Sequence, residues 1–483
     1  MTEKWTDFPA TALTWEKRNG TLRIPVPELD EGIAAAVTCY PSKARDMQAI
    51  DLPTERVPDW QHRAIRKLQQ LLERYRALRV YLDICVQCGA CSDKCQFYLG
   101  TGDPNNMPVA RANLLRKVYR YYHRPLEKIL GGEAEAFNER VLHEWYTYFY
   151  QCSECRRCSV FCPYGIDTAE ITMAAREIMA EIGVATKYVT EVVAKVYERG
   201  NNLGIPGPAW IDNCQFLEEE LKNETGKDIR LPVDEVGAEV LLVMPSADNF
   251  ANTDTMMAYA KLFYALGISW TTSTYCNEGG NFGLFLNYRN LKKVNKRILD
   301  AARALKVKRV IWGECGHAWR AGIYTNTLNG PMDFLDPPHP VHICQFTAEM
   351  IKRGALKIDK TANDDHIVTY HDPCNAARAG SLLEEPREMI RATCNKFVEM
   401  PANTIREKTF CCGAGGGLLT DELMPVRMAG GKPRAEACRS TGATYLATPC
   451  AICKAQLPEV MKHWKVNVKV GGVHDLLSRA LIL

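Results

Sequence analysis

The adjacent thiols Cys411 and Cys412, followed by Gly413, belong to a five-cysteine pattern with Cys374 upstream and Cys450 and Cys453 downstream, spaced Cys-x36-Cys-Cys-Gly-x36-Cys-x2-Cys. Neighbouring cysteines rarely bridge each other without strain. Five thiols also exceed the four that close a zinc site. The surplus points to an iron-sulfur assembly rather than a single ion.

Two further sets lie nearer the N-terminus: Cys85-x2-Cys88-x2-Cys91-x3-Cys95 and Cys152-x2-Cys155-x2-Cys158-x3-Cys162-Pro163. This is the spacing of a two-cluster bacterial ferredoxin, in which three cysteines wrap one cubane and the fourth is carried to its neighbour. Cys85, Cys88, Cys91 and Cys162 are therefore expected to hold one [4Fe-4S] cluster. Cys152, Cys155, Cys158 and Cys95 are expected to hold the other. Cys95 is followed by Gln96 where this pattern has proline, a departure that removes no ligand. Two such clusters with no open coordination position read as an electron wire.

The elements that must position these thiols are legible from periodicity. From Val57 to Leu82, Ile65, Leu68, Leu71, Leu72, Tyr75, Leu78 and Tyr81 recur at three and four residues among arginines, predicting an amphipathic helix. Helical sequence also runs from Pro108 to His123 and from Glu133 to Tyr150. Residues 1–56 read as an extended arm, 57–195 as the helical cluster domain, and 196–236, with Gly200, Gly204, Pro206, Gly207 and Pro208, as a linker. Beyond it, β-branched runs at Glu239–Met244, Val310–Trp312, His366–Tyr370 and Thr444–Thr448 alternate with helical stretches, predicting α/β structure.

That C-terminal half reads as a duplication. EVLLVMPS at 239–246 resembles IVTYHDPC at 367–374, YCNEGGN at 275–281 resembles CCGAGGG at 411–417, and VIWGECGHA at 310–318 resembles YLATPCAIC at 445–453. The expected result is two pseudo-symmetric lobes, 237–357 and 358–483. Aligned in this way, the first copy has Ser246, Tyr275 and Ala318 in place of Cys374, Cys411 and Cys453, and keeps Cys276 and Cys315. The first lobe is thus degenerate, and its two remaining thiols are either a reduced site or structural. Cys39, Cys214, Cys344, Cys394 and Cys438 have no ligand spacing and read as small buried apolar groups.

With 60 basic against 57 acidic residues, the chain lacks the basic excess of a nucleic-acid binder. Its apolar runs are too short to cross a bilayer, and Met1-Thr2-Glu3-Lys4-Trp5 does not begin a secretory signal. A cytoplasmic location is expected, and with it metal ligation rather than disulfides for most of the 20 cysteines. Gly413, Gly415, Gly416 and Gly417 lack the GxGxxG form of a dinucleotide loop. They are expected to let backbone approach a cluster closely.

The five-cysteine pattern resembles the cysteine-rich CCG domain of heterodisulfide reductases, and the whole arrangement over roughly residues 80–480 resembles their HdrD-type component. The fold class expected is α+β multidomain: a helical two-[4Fe-4S] ferredoxin-like domain followed by two pseudo-symmetric α/β CCG lobes. The resemblance implies a noncubane [4Fe-4S] cluster ligated by Cys374, Cys411, Cys412, Cys450 and Cys453, with no flavin or nicotinamide on this chain. Because one copy is intact and one degenerate, the chain is most similar to DsrK-type subunits of the sulfite-reduction-associated membrane complex DsrMKJOP. That likeness implies a peripheral subunit on the cytoplasmic side of the membrane, bound to a cytochrome b partner (DsrM-like) and other subunits of the complex. It also implies quinol-derived electrons and reduction of a disulfide or trisulfide on a small two-cysteine sulfur carrier (DsrC-like).

Splitting a disulfide takes two electrons and leaves thiolates that need protons. His371, beside Asp372 and just before Cys374, is a candidate donor, and His317 a more remote one. The alternative is the iron-sulfur subunit of a flavin-linked glycolate, lactate or glycerol-3-phosphate dehydrogenase that donates to quinone. A third reading is a relay or scaffold without catalysis.

Overall fold

The structure, a computed structural model, describes residues 14–16, 21–29, 33, 37–124, 126 and 133–483. The start of the N-terminal arm, with the Met1–Trp5 segment, lies outside the described residues. The chain forms two compact units: residues 1–191, 284–288 and 401–437, and residues 192–283, 289–400 and 438–483. These units are drawn differently from the sequence boundaries, because 401–437, which contains Cys411 and Cys412, groups with the helical part of the chain.

The first unit is mainly helical; within the stretch read as an extended arm it also has an antiparallel pair of short strands, Thr14–Glu16 and Thr21–Arg23, and a short helix, Ala44–Ala49. Its main elements are α1 (Trp60–Arg74), α2 (Pro108–His123), α3 (Glu139–Tyr150) and α4 (Thr168–Glu181). The helix expected over Val57–Leu82 breaks after α1, since Tyr75 leaves helical dihedrals at φ −112° and ψ 87° before a short helix resumes at Arg76–Asp83. The ring of Tyr75 packs on that of Tyr288, with centroids 4.8 Å apart. α3 starts later than periodicity suggests, because Asn138 Oδ1 accepts the Val141 amide and caps it. Leu68, Leu115, Phe149, Ile171 and Ile178 form its core, joined by Leu418, Leu423 and Val426.

The second unit holds two small parallel sheets. In the first, β1 (Val240–Val243), β2 (Trp270–Thr271), β3 (Arg309–Trp312) and β4 (Val341–His342) lie in the order β2-β1-β3-β4. In the second, β5 (Val368–Tyr370), β6 (Tyr445–Ala447) and β7 (Lys469–Gly471) lie in sequence order. Near-continuous apolar strands such as Val240–Val243 are what sheets covered on both faces require. One apolar core runs through both sheets, from Val240 and Ile311 to Val368, Tyr445 and Leu476. All four runs read as strands from the sequence form strands. Within 196–236, Gly207–Thr225 is a helix whose Trp210, Cys214, Leu217 and Leu221 enter this core. The Gly-Pro cluster that suggested a linker is the start of that helix, where proline fits without losing a hydrogen bond.

Among the described residues, no helix is long and apolar enough to cross a membrane.

Candidate metal centres

In the helical unit, the two CxxC loops share one backbone device. The residues flanking the second cysteine of each loop are left-handed: Gln87 and Gly89 around Cys88, Glu154 and Arg156 around Cys155. That conformation is costly for a side chain such as arginine. Arg156 is held there by Asp167, at 2.9 Å, and by Glu170.

These loops close around two cavities. Cys85, Cys88, Cys91 and Cys162 wall one. Cys95, Cys152, Cys155 and Cys158 wall the other. Each cavity is thus walled by three cysteines of one run and the fourth of the other, and Pro108, Cys158 and Thr168 border both. Burial pushes the Cys91 thiol up to about 12 and Cys158 well above its ordinary value. Desolvated sulfurs grouped in fours suit iron, whose charge offsets the cost of burying thiolates.

The sequence reading missed two arginines. Arg111 and Arg116, both on α2 and both buried, face one cavity each. Burial works to lower Arg111, but the thiols of Cys152 and Cys95 outweigh it and raise it overall. At Arg116 burial prevails over Cys85, and the group is lowered. Their backbone partners are Tyr148 O, 2.8 Å from Arg111 Nε, and Leu82 O, 3.0 Å from Arg116 Nε. The available signal was two arginines among Ala112, Leu115 and Val118, on what is otherwise an apolar face. Gln96 has its own partners: its Nε2 donates to Ser153 Oγ at 3.1 Å, and Cys155 Sγ lies 3.7 Å from its Oε1.

Cys411 and Cys412 are buried in this same unit. The Gly413 amide donates to Cys411 Sγ at 3.4 Å, and Gly413, Gly416 and Gly417 are left-handed. A Cβ on Gly416 would stand 2.7 Å from the Cys152 carbonyl oxygen, so the glycine run approaches the second CxxC loop. Arg176 fastens the two: it donates to Gly416 O at 2.6 Å and to Cys152 O and Phe149 O at 2.8 Å, and pairs with Glu154 at 3.1 Å, fully buried. Arg157 adds a second tie, donating to Lys408 O and Lys94 O with its guanidinium 3.7 Å from the Phe410 ring centre.

Cys374, Cys450 and Cys453 belong to the α/β unit, all buried. Cys450 caps α6 (Ala451–His463), numbered after α5 (Gly316–Ile323) of the first sheet. Cys315, His317 and Cys450 present their donor atoms within 4.8 Å of one another. A hydrogen bond from Cys315 lowers the Cys450 thiol while Cys315 itself is raised. His371 Nε2 lies 3.4 Å from Cys453 Sγ. Asp372 is engaged elsewhere, by Arg387 at 2.6 and 2.8 Å. A second buried trio, Glu314, Cys344 and His474, is already neutralised, since Glu314 pairs with Lys454 at 3.5 Å and with His474 at 2.7 Å. Cys39 and Cys214 are pushed up to about 12 by burial, and Cys344 and Cys394 are raised by burial too, in keeping with inert thiols.

Comparison with known proteins bears on these groups. The 4Fe-4S dicluster domain family matches residues 81–166, which span all eight ferredoxin-type cysteines. The Cysteine-rich domain family (CCG) matches 368–458, which span the other five. The Hdr-like menaquinol oxidoreductase iron-sulfur subunit 2 of Archaeoglobus fulgidus is 43% identical, over 91% of this chain and 86% of its own length. The chain belongs to the family of Hdr-like oxidoreductase iron-sulfur subunits. Another member, the Hdr-like menaquinol oxidoreductase iron-sulfur subunit of Archaeoglobus profundus, is 42% identical over 88% of this chain and 84% of its own. More distant is a component of the dihydromethanophenazine:CoB--CoM heterodisulfide reductase of Methanosarcina mazei, at 25% over 83% and 94%. An Hdr-like subunit of this kind is an oxidoreductase component carrying iron-sulfur clusters, and the two clustered cysteine regions of this chain are where its matched domains lie.

Proposed function

We propose that the chain is the catalytic iron-sulfur subunit of a membrane-associated complex, taking electrons from a quinol and reducing a disulfide or trisulfide carried by a partner protein. The observation that carries this reading is the Arg176 junction. One buried guanidinium binds the carbonyls of Cys152, in the second CxxC loop, and Gly416, in the CCG loop. It ties the backbone of the second CxxC loop to that of the loop carrying Cys411 and Cys412.

The ligand sets are those of the sequence reading: Cys85, Cys88, Cys91 and Cys162 for one cubane, Cys152, Cys155, Cys158 and Cys95 for the other, and Cys374, Cys411, Cys412, Cys450 and Cys453 for a noncubane cluster. When bound, these groups supply one-electron carriers and, at the CCG motif, iron able to hold a substrate sulfur. The chain's own residues bury the thiols, place Arg111 and Arg116 against the sulfurs, and bring His371 Nε2 to 3.4 Å from Cys453 Sγ. The divisions after residues 56, 195, 236 and 357 mark functional segments in this scheme.

Two relatives above 40% identity are named as menaquinol oxidoreductase subunits and a more distant one as part of a heterodisulfide reductase, which supports both ends of the electron path. The degenerate first copy supports a DsrK-like assignment, under which the chain would be a peripheral subunit on the cytoplasmic side with a DsrM-like cytochrome b and a DsrC-like sulfur carrier as partners.

The anaerobically purified chain is expected to carry about twelve irons with matching sulfide, whereas about eight would leave only two cubanes and remove the third centre. Co-purification with a cytochrome b and a small two-cysteine protein supports the sulfur pathway. Recovery of a flavoprotein partner instead overturns it in favour of the dehydrogenase reading.

A further inference from the structure

The degenerate half of the α/β unit brings two of its own donors to the intact half. Cys315 and His317 lie in the loop and first turn that follow β3, and their donor atoms gather with Cys450 Sγ within 4.8 Å. All three are buried. The gathering is built rather than incidental, because this segment is fixed on two sides against the loops that carry Cys374 and Cys450. The Glu314 carbonyl accepts the Ala451 amide at 3.0 Å, next to Cys450. Arg320 donates to Asn375 Oδ1 at 3.0 Å, next to Cys374, and Trp319 Nε1 donates to Gly380 O at 2.9 Å. Between the two donors, Gly316 passes so near that a Cβ would come within 3.1 Å of the Ala376 amide nitrogen and 3.3 Å of Pro373 Cβ.

We propose that Cys315 and His317 are iron ligands of the CCG centre alongside Cys450, so that the first copy, with three of its five aligned cysteine positions replaced, still supplies a thiolate and an imidazole. The inference rests on the iron-sulfur reading of the CCG motif and extends its donor set beyond the five cysteines. Thiolate and imidazole together suit iron. The reading also explains why Cys315 persists where Ser246, Tyr275 and Ala318 have replaced its former companions.

The test uses the complete chain, purified without oxygen from cells fed 15N-histidine, together with Cys315→Ser, His317→Ala and the control Cys276→Ser. Metal and sulfide content and pulsed EPR are measured on each. The wild type is expected to show a histidine nitrogen coupling on the third-cluster signal that is lost in His317→Ala. Cys315→Ser is expected to lose up to about four irons or to shift that signal, while unaltered cubane signals report an intact fold. Cys276→Ser should retain the full complement. The inference is overturned if Cys315→Ser and His317→Ala both keep wild-type iron and an unchanged third signal, or if that site takes up zinc. A wild-type chain with only about eight irons would instead remove the CCG reading itself, an outcome distinct from failure of the two variants.

Discussion

The segments 275–281 and 411–417 align residue for residue as YCNEGGN and CCGAGGG, yet they fold into different compact units. The first closes on itself. Glu278, fully buried, accepts from Ser246 Oγ at 2.8 Å, from the Asn202 amide at 3.1 Å and from the Gly280 amide at 2.6 Å. Asn281 bonds Leu291 O and Asn295. Where the first copy has Glu278 and Asn281, the second has Ala414 and Gly417, and its hydrogen bonding goes out to Arg176. Where the first segment lacks the second's cysteine pair, its own side chains satisfy its interior. The other copy keeps small residues and thiols, among them Cys411, whose Sγ accepts the Gly413 amide at 3.4 Å.

The largest effect should come from making the second copy resemble the first. Cys374→Ser reproduces Ser246 at the aligned position. It is expected to abolish disulfide reduction and to lower iron by up to about four per chain while both cubane signals persist. Full iron with undiminished reduction would break the comparison.

Next is the tie that exists on one side only. Arg176→Met removes one member of the fully buried pair with Glu154 and is expected to cost the helical unit about 3–5 kcal/mol. Denaturant unfolding followed by cluster absorbance measures it. A loss below about 1 kcal/mol, the scale of an exposed pair, would mean the junction is not what holds the CCG loop.

The first copy has its own signature, in pH. Burial raises the Glu278 carboxyl from 4.5 to about 7, and the hydrogen bonds from Asn202, Ser246 and Gly280 only partly oppose it. Between those values the folded chain keeps a proton that the unfolded chain has released, so stability falls as pH rises through the window and levels off above it. The loss is on the order of 3 kcal/mol. Glu278→Gln should flatten that slope in unfolding midpoints taken from pH 5 to 7.5. An unchanged slope would show that another group titrates there.

How much of this was legible depends on the range of the interaction. The placing of Cys162 beside Cys85, Cys88 and Cys91, and of Cys95 beside Cys152, Cys155 and Cys158, is what the short spacings suggest. The cores of four of the strands were readable, since runs such as Val240–Val243 need no partner to be recognised. The break at Tyr75 was not, because it accompanies a ring contact with Tyr288, more than two hundred residues away. Nor was the assignment of 401–437 to the helical unit, which rests on Arg157, Arg176 and the glycines meeting across the chain. Arg111 and Arg116 were visible as an irregularity in an apolar face, but their sulfur partners were not.

The smallest predicted effect isolates the glycines. Gly416 has φ of +67°, and a Cβ there would stand 2.7 Å from Cys152 O, which is backbone. The left-handed conformation alone costs alanine about 1 kcal/mol, and the displacement needed to relieve the contact adds to it, for a total of about 1–3 kcal/mol. Because the backbone that must move carries Cys152, Gly416→Ala is expected to perturb the EPR signal of the second cubane as well as stability. At the aligned Gly280, an added Cβ meets the end of the Glu278 side chain instead. Gly280→Ala should therefore alter the Glu278 titration and leave every cluster signal unchanged. A cubane perturbation from Gly280→Ala, or none from Gly416→Ala, would mean that the two loops do not differ in the way their hydrogen bonds suggest.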